Sequence, residues 1–213
     1  VRVLVDTTPD LRQQLLRANI SWISAVLWTH THNDHVIGLD DIRPLCDHLG
    51  YIDGYAGADT LVHLKRVFDY VFVQGREHGG FPRMKDNLIH PLQPFILSDM
   101  RITPIPIWHG KREIFAYKFE CGARTLVYAT DCSQIPEESV EYMKNADVFV
   151  VDALRHKEHP THFNIEQATA AVKTLKPGRT FFTHIAHDLD HNKVNAMLDA
   201  GIELAYDTLT LDV

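Results

Sequence analysis

The sequence predicts an α/β fold of mixed β content. Strand-like and helix-like segments alternate along all 213 residues, and five of the strand-like segments are followed by a polar, metal-grade side chain. Length agrees. Against a prior of ~150 residues per domain, residues 1–213 fit one domain better than two.

The first segment, VRVLVDT, alternates Val1, Val3 and Val5 before Asp6 and reads as a strand. A helix is expected over 7–19, with Thr8 as cap, Pro9 in the first turn and Leu11, Leu15 and Leu16 as its apolar stripe. SAVLWTH is a short buried strand that ends on His30. Helical spacing of Leu61, Leu64, Phe68 and Phe72 predicts a helix over 59–72, and the Gly-, Pro- and charge-rich stretch 74–87 predicts a mobile loop. Within it, Gly79 to Pro82 suggest a substrate lid, although loop composition alone would also explain them.

RITPIPIWH is a strand whose Pro104 and Pro106 confine it to an edge or an irregular position. Residues 112–131 form a hairpin that turns at Cys121 to Ala123 and ends on Asp131. A helix PEESVEYMKNA and a buried strand DVFVVDA follow. Asn164 and Gln167 form a capping box for a helix with the stripe Ile165, Ala168, Val172 and Leu175, which KPG terminates. RTFFTH is a strand ending in His184, and DHNKVNAMLDAG is a helix stopped by Gly201. Trp28, Trp108 and the Phe-rich segments are expected in the core.

Composition narrows the function. With 45% apolar and 23% charged residues and no run of ~18 apolar residues, the chain reads as a soluble protein of cytoplasmic type with no membrane partner. Net charge is −7, and basic residues cluster no further than pairs such as Lys111-Arg112, so no nucleic-acid partner is expected. A small anionic substrate is. Cys46, Cys121 and Cys132 are odd in number and far apart, against both a disulfide framework and a cysteine zinc site.

Asp6, the His30–His35 loop, His109, Asp131 and His184 each follow a predicted strand, where ligand sites of α/β sheets gather. A lone histidine after a strand is more often a surface or core residue. The loop THTHNDH is different, because no packing requirement asks for His30, His32, Asp34 and His35 so close together. His30 and His32 are expected to project to one side of an extended segment, and Asp34-His35 to follow where the chain turns. One divalent ion can then be held by His30, His32 and His109, a second by Asp34, His35 and His184, with Asp131 bridging them. Imidazole and carboxylate ligands suit zinc or manganese, and iron is also compatible. Two ions ~3.5–4 Å apart lower the pKa of a shared water toward ~7, which is hydrolytic chemistry. Asp6 would accept hydrogen bonds from ligand histidines and order them, or equally is an aspartate that begins a helix turn. His187 and His191 are pocket candidates whose default is an exposed polar position.

THTHNDH, IWHG, YATD and FTHIAH, in that order, resemble the signature of the metallo-β-lactamase superfamily. The resemblance implies an αββα sandwich: four layers, two mixed β-sheets flanked by helices. LVDTTPDLRQQLLR, HPTHFNIEQA, THIAHDLDH and ELAYD resemble the PhnP branch of phosphodiesterases, which act on a small or cyclic phosphodiester. That likeness implies the same seven ligands, His162 and Asp34 as catalytic residues, His162 acting near the leaving group, and a homodimer. His162 lies just before the Asn164 cap, at a helix N-terminus that favours an anion. Relatives carry an extra strand and a Gly-Thr-Gly turn before the position of Val1, and a glycine where Thr208 stands. The same ligand set would also serve a thioester, lactone or lactam hydrolase, and a mononuclear-iron dioxygenase is a further alternative.

Overall fold

The computed structural model describes residues 1–73 and 80–213, without the side chains of 47–49. Its α/β class is the one predicted, and the chain forms two compact units, Val1–His90 and Pro91–Val213.

The first unit holds a four-stranded sheet in the order β1-β2-β3-β4, made of β1 (Val3–Val5), β2 (Ala25–Leu27), β3 (Ile52–Ala56) and β4 (Met84–Leu88). Every pairing is parallel, because each connection is a helical crossover. The expected mixture of strand directions is therefore found in the second sheet alone. Helix α1 (Leu11–Arg17) joins β1 to β2. Between β2 and β3 come α2 (Asn33–Val36), a 3-10 turn (Ile37–Ile42) and α3 (Arg43–Leu49), and α4 (Ala58–Val67) precedes β4. Trp28, fully buried, centres the core, and its indole Nε1 donates to Thr7 Oγ1 at 3.0 Å. A Cβ on Gly54 would come 2.7 Å from the Trp28 ring, so glycine is what lets β3 pass so close.

Three expectations shift here. Helix α1 starts at Leu11 and not after Thr8, whose hydroxyl donates to Gln14 Oε1 at 2.7 Å and whose backbone packs tightly against Gly38. Leu11 is buried while Leu16 points to solvent, so the stripe is narrower than predicted. Helix α4 stops at Val67, because Phe68 turns into the core and Val71 passes its carbonyl to the amide of Met84. Met84–Leu88, most of it within the predicted loop, is an edge strand in which only Met84 is buried and Leu88 is exposed like Lys85. The rest of that prediction lies partly outside the described residues, as does Gly79.

The second unit holds a seven-stranded sheet in the order β11-β10-β9-β8-β7-β6-β5. Its elements are β5 (Phe95–Leu97), β6 (Met100–His109), β7 (Arg112–Cys121), β8 (Arg124–Ala129), α5 (Glu137–Met143), β9 (Val148–Asp152), α6 (Ile165–Leu175), β10 (Arg179–Thr183), α7 (His191–Asn195) and β11 (Ile202–Leu204). Strands β8 to β11 are mutually parallel, whereas β5 to β8 are linked antiparallel. Two antiparallel steps separate β6 from β8, so β6 runs in the same direction as β8 to β11, and the C-terminal ends of all five reach one edge. Strand β5 pairs only with Met100 to Ile102, which leaves Pro104 and Pro106 on a stretch without a strand on that side, as prolines require.

The capping box at α6 is present: Asn164 Oδ1 accepts from the Gln167 amide at 2.8 Å, and Gln167 Oε1 from the Asn164 amide at 3.0 Å. Helix α7 is shorter than expected because Asn195 Oδ1 accepts from the Leu204 amide at 2.8 Å, which ties the helix end to β11. Phe149 and Phe182 lie in a core that Trp108 joins only in part, being half-buried. No helix among the described residues is long and apolar enough to cross a membrane.

Candidate functional site

In the first unit the ligand-type residues sit past the C-terminal ends of β1 and β2. His30 is buried and His32 exposed, and their rings meet edge to face at 4.6 Å between centroids. His32 is the extended residue before α2, so Asp34 and His35 fall on the first turn, as the spacing predicts. Their side chains approach to 3.4 Å, His35 Nε2 to Asp34 Oδ2.

Asp6 organises this group. Its Oδ2 is 2.7 Å from His35 Nδ1 and accepts from Thr29 Oγ1 at 2.8 Å, and its Oδ1 accepts from the Thr29 amide at 2.8 Å. Because Thr29 spends its hydroxyl proton on Asp6, its oxygen accepts from His30 Nδ1 at 2.9 Å. His30 and His35 therefore carry their protons on Nδ1 and present the lone pair at Nε2, the form a metal ion takes. Burial raises the Asp6 carboxyl above its usual range, opposed by the bonds from His35 and Thr29. The expectation for Asp6 is met, and Thr29 is a member of the group that the sequence did not reveal.

In the second unit the shared strand edge carries His109 at the end of β6, Asp131 after β8, Asp152 at the end of β9 and His184 after β10. His109 Nδ1 donates to the Thr161 carbonyl at 2.7 Å, which again leaves the lone pair on Nε2. Burial lowers the His109 pKa, opposed by Asp131 and by that carbonyl, so the neutral, ligating form is favoured at neutral pH. Asp131 lies within 4.8 Å of His109 by ligand atoms, and its Oδ1 is 3.4 Å from His184 Nε2. Asp131 and His184 have positive φ, 57° and 55°, and so does Asp6 in the first unit at 61°. Such conformations carry strain in non-glycine residues and cluster at functional sites.

His162 is buried beside these residues. Its ring stacks on His184 at 4.9 Å and meets His109 at 4.8 Å, and its Nδ1 is 3.0 Å from Asp152 Oδ2. Asp152 is fully buried, and its Oδ1 accepts from the Cys132 amide at 2.8 Å. Burial pushes its carboxyl well above the ordinary range, opposed by the bond from the Cys132 amide. Sequence reasoning does not single out Asp152, although VFVVD ends on a carboxylate just as other strands end on Asp6 or Asp131. His187 is exposed, and His191 lies on α7 with Nε2 donating to the Ala205 carbonyl at 3.2 Å. The three cysteines are free thiols.

Gly110 keeps His109 in place. Its φ is +62°, and an added Cβ would come 2.8 Å from Thr161 Cγ2, on the residue whose carbonyl holds His109. Gly110→Ala is expected to lower stability by about 1 kcal/mol and to weaken turnover. The fall in urea midpoint measures the first effect; an unchanged midpoint would mean that this turn does not need glycine.

The chain belongs to the β-lactamase superfamily: residues 1–185 match the family described as the beta-lactamase superfamily domain. This is the metallo-β-lactamase fold, and within it the chain resembles the PhnP branch. A crystal structure of a new diphosphatase from the PhnP family is 40% identical, with a TM-score of 0.89 over 99% of this chain and 79% of that one. Zinc-bound PqqB from Methylobacterium extorquens has a TM-score of 0.80 over 99% of this chain and 83% of its own; at 22% identity it supports the fold alone. An octanoyltransferase from Porphyromonas gingivalis is 34% identical over 210 residues, 98% of this chain. The chain spans only 42% of the length of that relative.

Proposed function

We propose that the chain is a dinuclear metal-dependent hydrolase that cleaves a P–O bond in a small anionic substrate, a small or cyclic phosphodiester or, as the diphosphatase neighbour suggests, the phosphoanhydride of a diphosphate. His30, His32 and His109 would hold one ion and Asp34, His35 and His184 the other, with Asp131 available to both. The observation that carries this reading is that Nδ1 of His30, His35 and His109 is in each case engaged by an oxygen, which leaves Nε2 for a ligand. The likeness to the PhnP-family diphosphatase supports the substrate class. Zinc or manganese suits these ligands best, and iron is compatible.

When bound, two such ions lower the pKa of water toward ~7 and neutralise charge on the attacked phosphoryl group. The protein adds proton control. With Asp152 accepting the Nδ1 proton, His162 doubly protonated from solvent would give its Nε2 proton to the leaving oxygen and be left as the neutral Nδ1–H tautomer that Asp152 favours. Asp34 serves both as ligand and as catalytic residue.

Purified without added metal, the chain is expected to contain near two ions and to hydrolyse bis(p-nitrophenyl) phosphate in preference to p-nitrophenyl phosphate. Two ions without phosphoester turnover would sink the substrate class, and a single ion would sink the dinuclear assignment. The octanoyltransferase relative favours a second reading, attack on an acyl thioester by the same ligand set. Cleavage of an octanoyl thioester with no diester turnover would establish it in place of the first.

A further inference from the structure

We infer that Tyr206 is a specificity-determining residue, a stacking platform for the base of a nucleotide substrate; this rests on the phosphoester reading above. The sheet edge of the second unit carries His109, Asp131, Asp152 and His184 on β6, β8, β9 and β10, and β11 continues the row by one strand. Phe182 pairs with Leu204, and the Ala205 amide donates to the Phe182 carbonyl at 2.7 Å. His184 and Tyr206 each come two residues after that pair, just past the C-terminal ends of β10 and β11. Neighbouring strands lie about 4.8 Å apart, so Tyr206 leaves the sheet at the same edge as His184, past the strand next to the one that leads to a residue proposed to hold metal.

Tyr206 is 60% exposed, while Ile202 and Leu204 of the same segment are buried in the core. A single exposed aromatic needs no explanation by itself. Here the ring is also supported and its backbone held. His191 meets it edge to face at 6.3 Å and 77°, with Nε2 tied to the Ala205 carbonyl at 3.2 Å. The Leu209 amide closes the turn on the Tyr206 carbonyl at 3.0 Å, with Thr208 at φ +75°. A β-branched residue rarely adopts that conformation, so the turn is retained at a cost. A ring held in one place loses little freedom when a base stacks on it, and every base offers a π face.

Binding of adenosine 5′-monophosphate and of ribose 5-phosphate, measured by calorimetry, tests this directly. The wild type is expected to bind the nucleotide on the order of ten-fold more tightly than the sugar phosphate. Tyr206→Ala should bring the nucleotide to the level of the sugar phosphate and leave the latter unchanged; Tyr206→Phe should keep the difference. Equal affinities in the wild type, no nucleotide binding, an unaffected Tyr206→Ala, or equal weakening of both ligands would overturn the assignment. Diester hydrolysis without base preference would defeat Tyr206 alone. Base-dependent binding without phosphoester turnover would defeat the reaction and leave the platform standing.

Discussion

Asp131→Ala is expected to abolish turnover and strip metal from the chain. Loss of an outer-shell partner costs 10–100-fold in metal affinity or activity, and a carboxylate proposed to bridge two ions should exceed about 10²-fold. The variant needs a control, because Asp131 has φ +57° and alanine is strained there. Asp131→Asn supplies it. Asparagine tolerates the left-handed region and its carbonyl oxygen can still accept from Thr130 Oγ1, as Asp131 Oδ1 does at 2.7 Å, but it lacks the charge. Metal content and diester hydrolysis should fall in both variants, whereas thermal stability before metal addition should fall mainly in the alanine. Full activity in either one would remove Asp131 from the bridging position.

The strand-end residues were legible because a polar side chain that closes an apolar strand has no packing reason to be there. Asp6, His30, His109, Asp131 and His184 all stood out in this way, and Asp6 even in its role toward His35. Asp152 has the same local pattern. What makes it important, the Cys132 amide 20 positions before it and His162 10 positions after, is a tertiary fact with no local mark. The tautomers were out of reach for the same reason, since they depend on Thr29 and on the carbonyl of Thr161.

Element boundaries failed where long-range contacts overrode local propensity. The start of α1 is displaced because the Gly38 amide donates to the Thr7 carbonyl and Gly38 packs on the next residue, a contact 30 positions away. Strand β4 has the composition of a loop, and only its five paired positions with β3 make it a strand. Substrate preference is the least legible property. Tyr206 is a tyrosine near the end of the chain until the strand order places it past β11, at the sheet edge that His184 shares.

Asp152→Asn should leave two ions in place and still cost on the order of 10²–10⁴ in kcat, the span of general acid catalysis. The amide that replaces Oδ2 would either face His162 Nδ1 with a donor or surrender the bond from Cys132 by turning over. In the first case the amide donor keeps Nδ1 unprotonated, so His162 cannot become the doubly protonated imidazolium whose Nε2 proton goes to the leaving oxygen. His162→Ala should lose as much, and the double variant no more than His162→Ala alone, since residues acting as one unit are not additive. The leaving group then separates proton delivery from mere binding. p-Nitrophenolate departs without protonation, whereas an alkoxide does not, so both variants should damage hydrolysis of an alkyl diester far more than that of an aryl diester. Equal losses on the two substrates would show His162 gripping the phosphate and not protonating its leaving group, and a double variant much worse than either single one would uncouple Asp152 from His162.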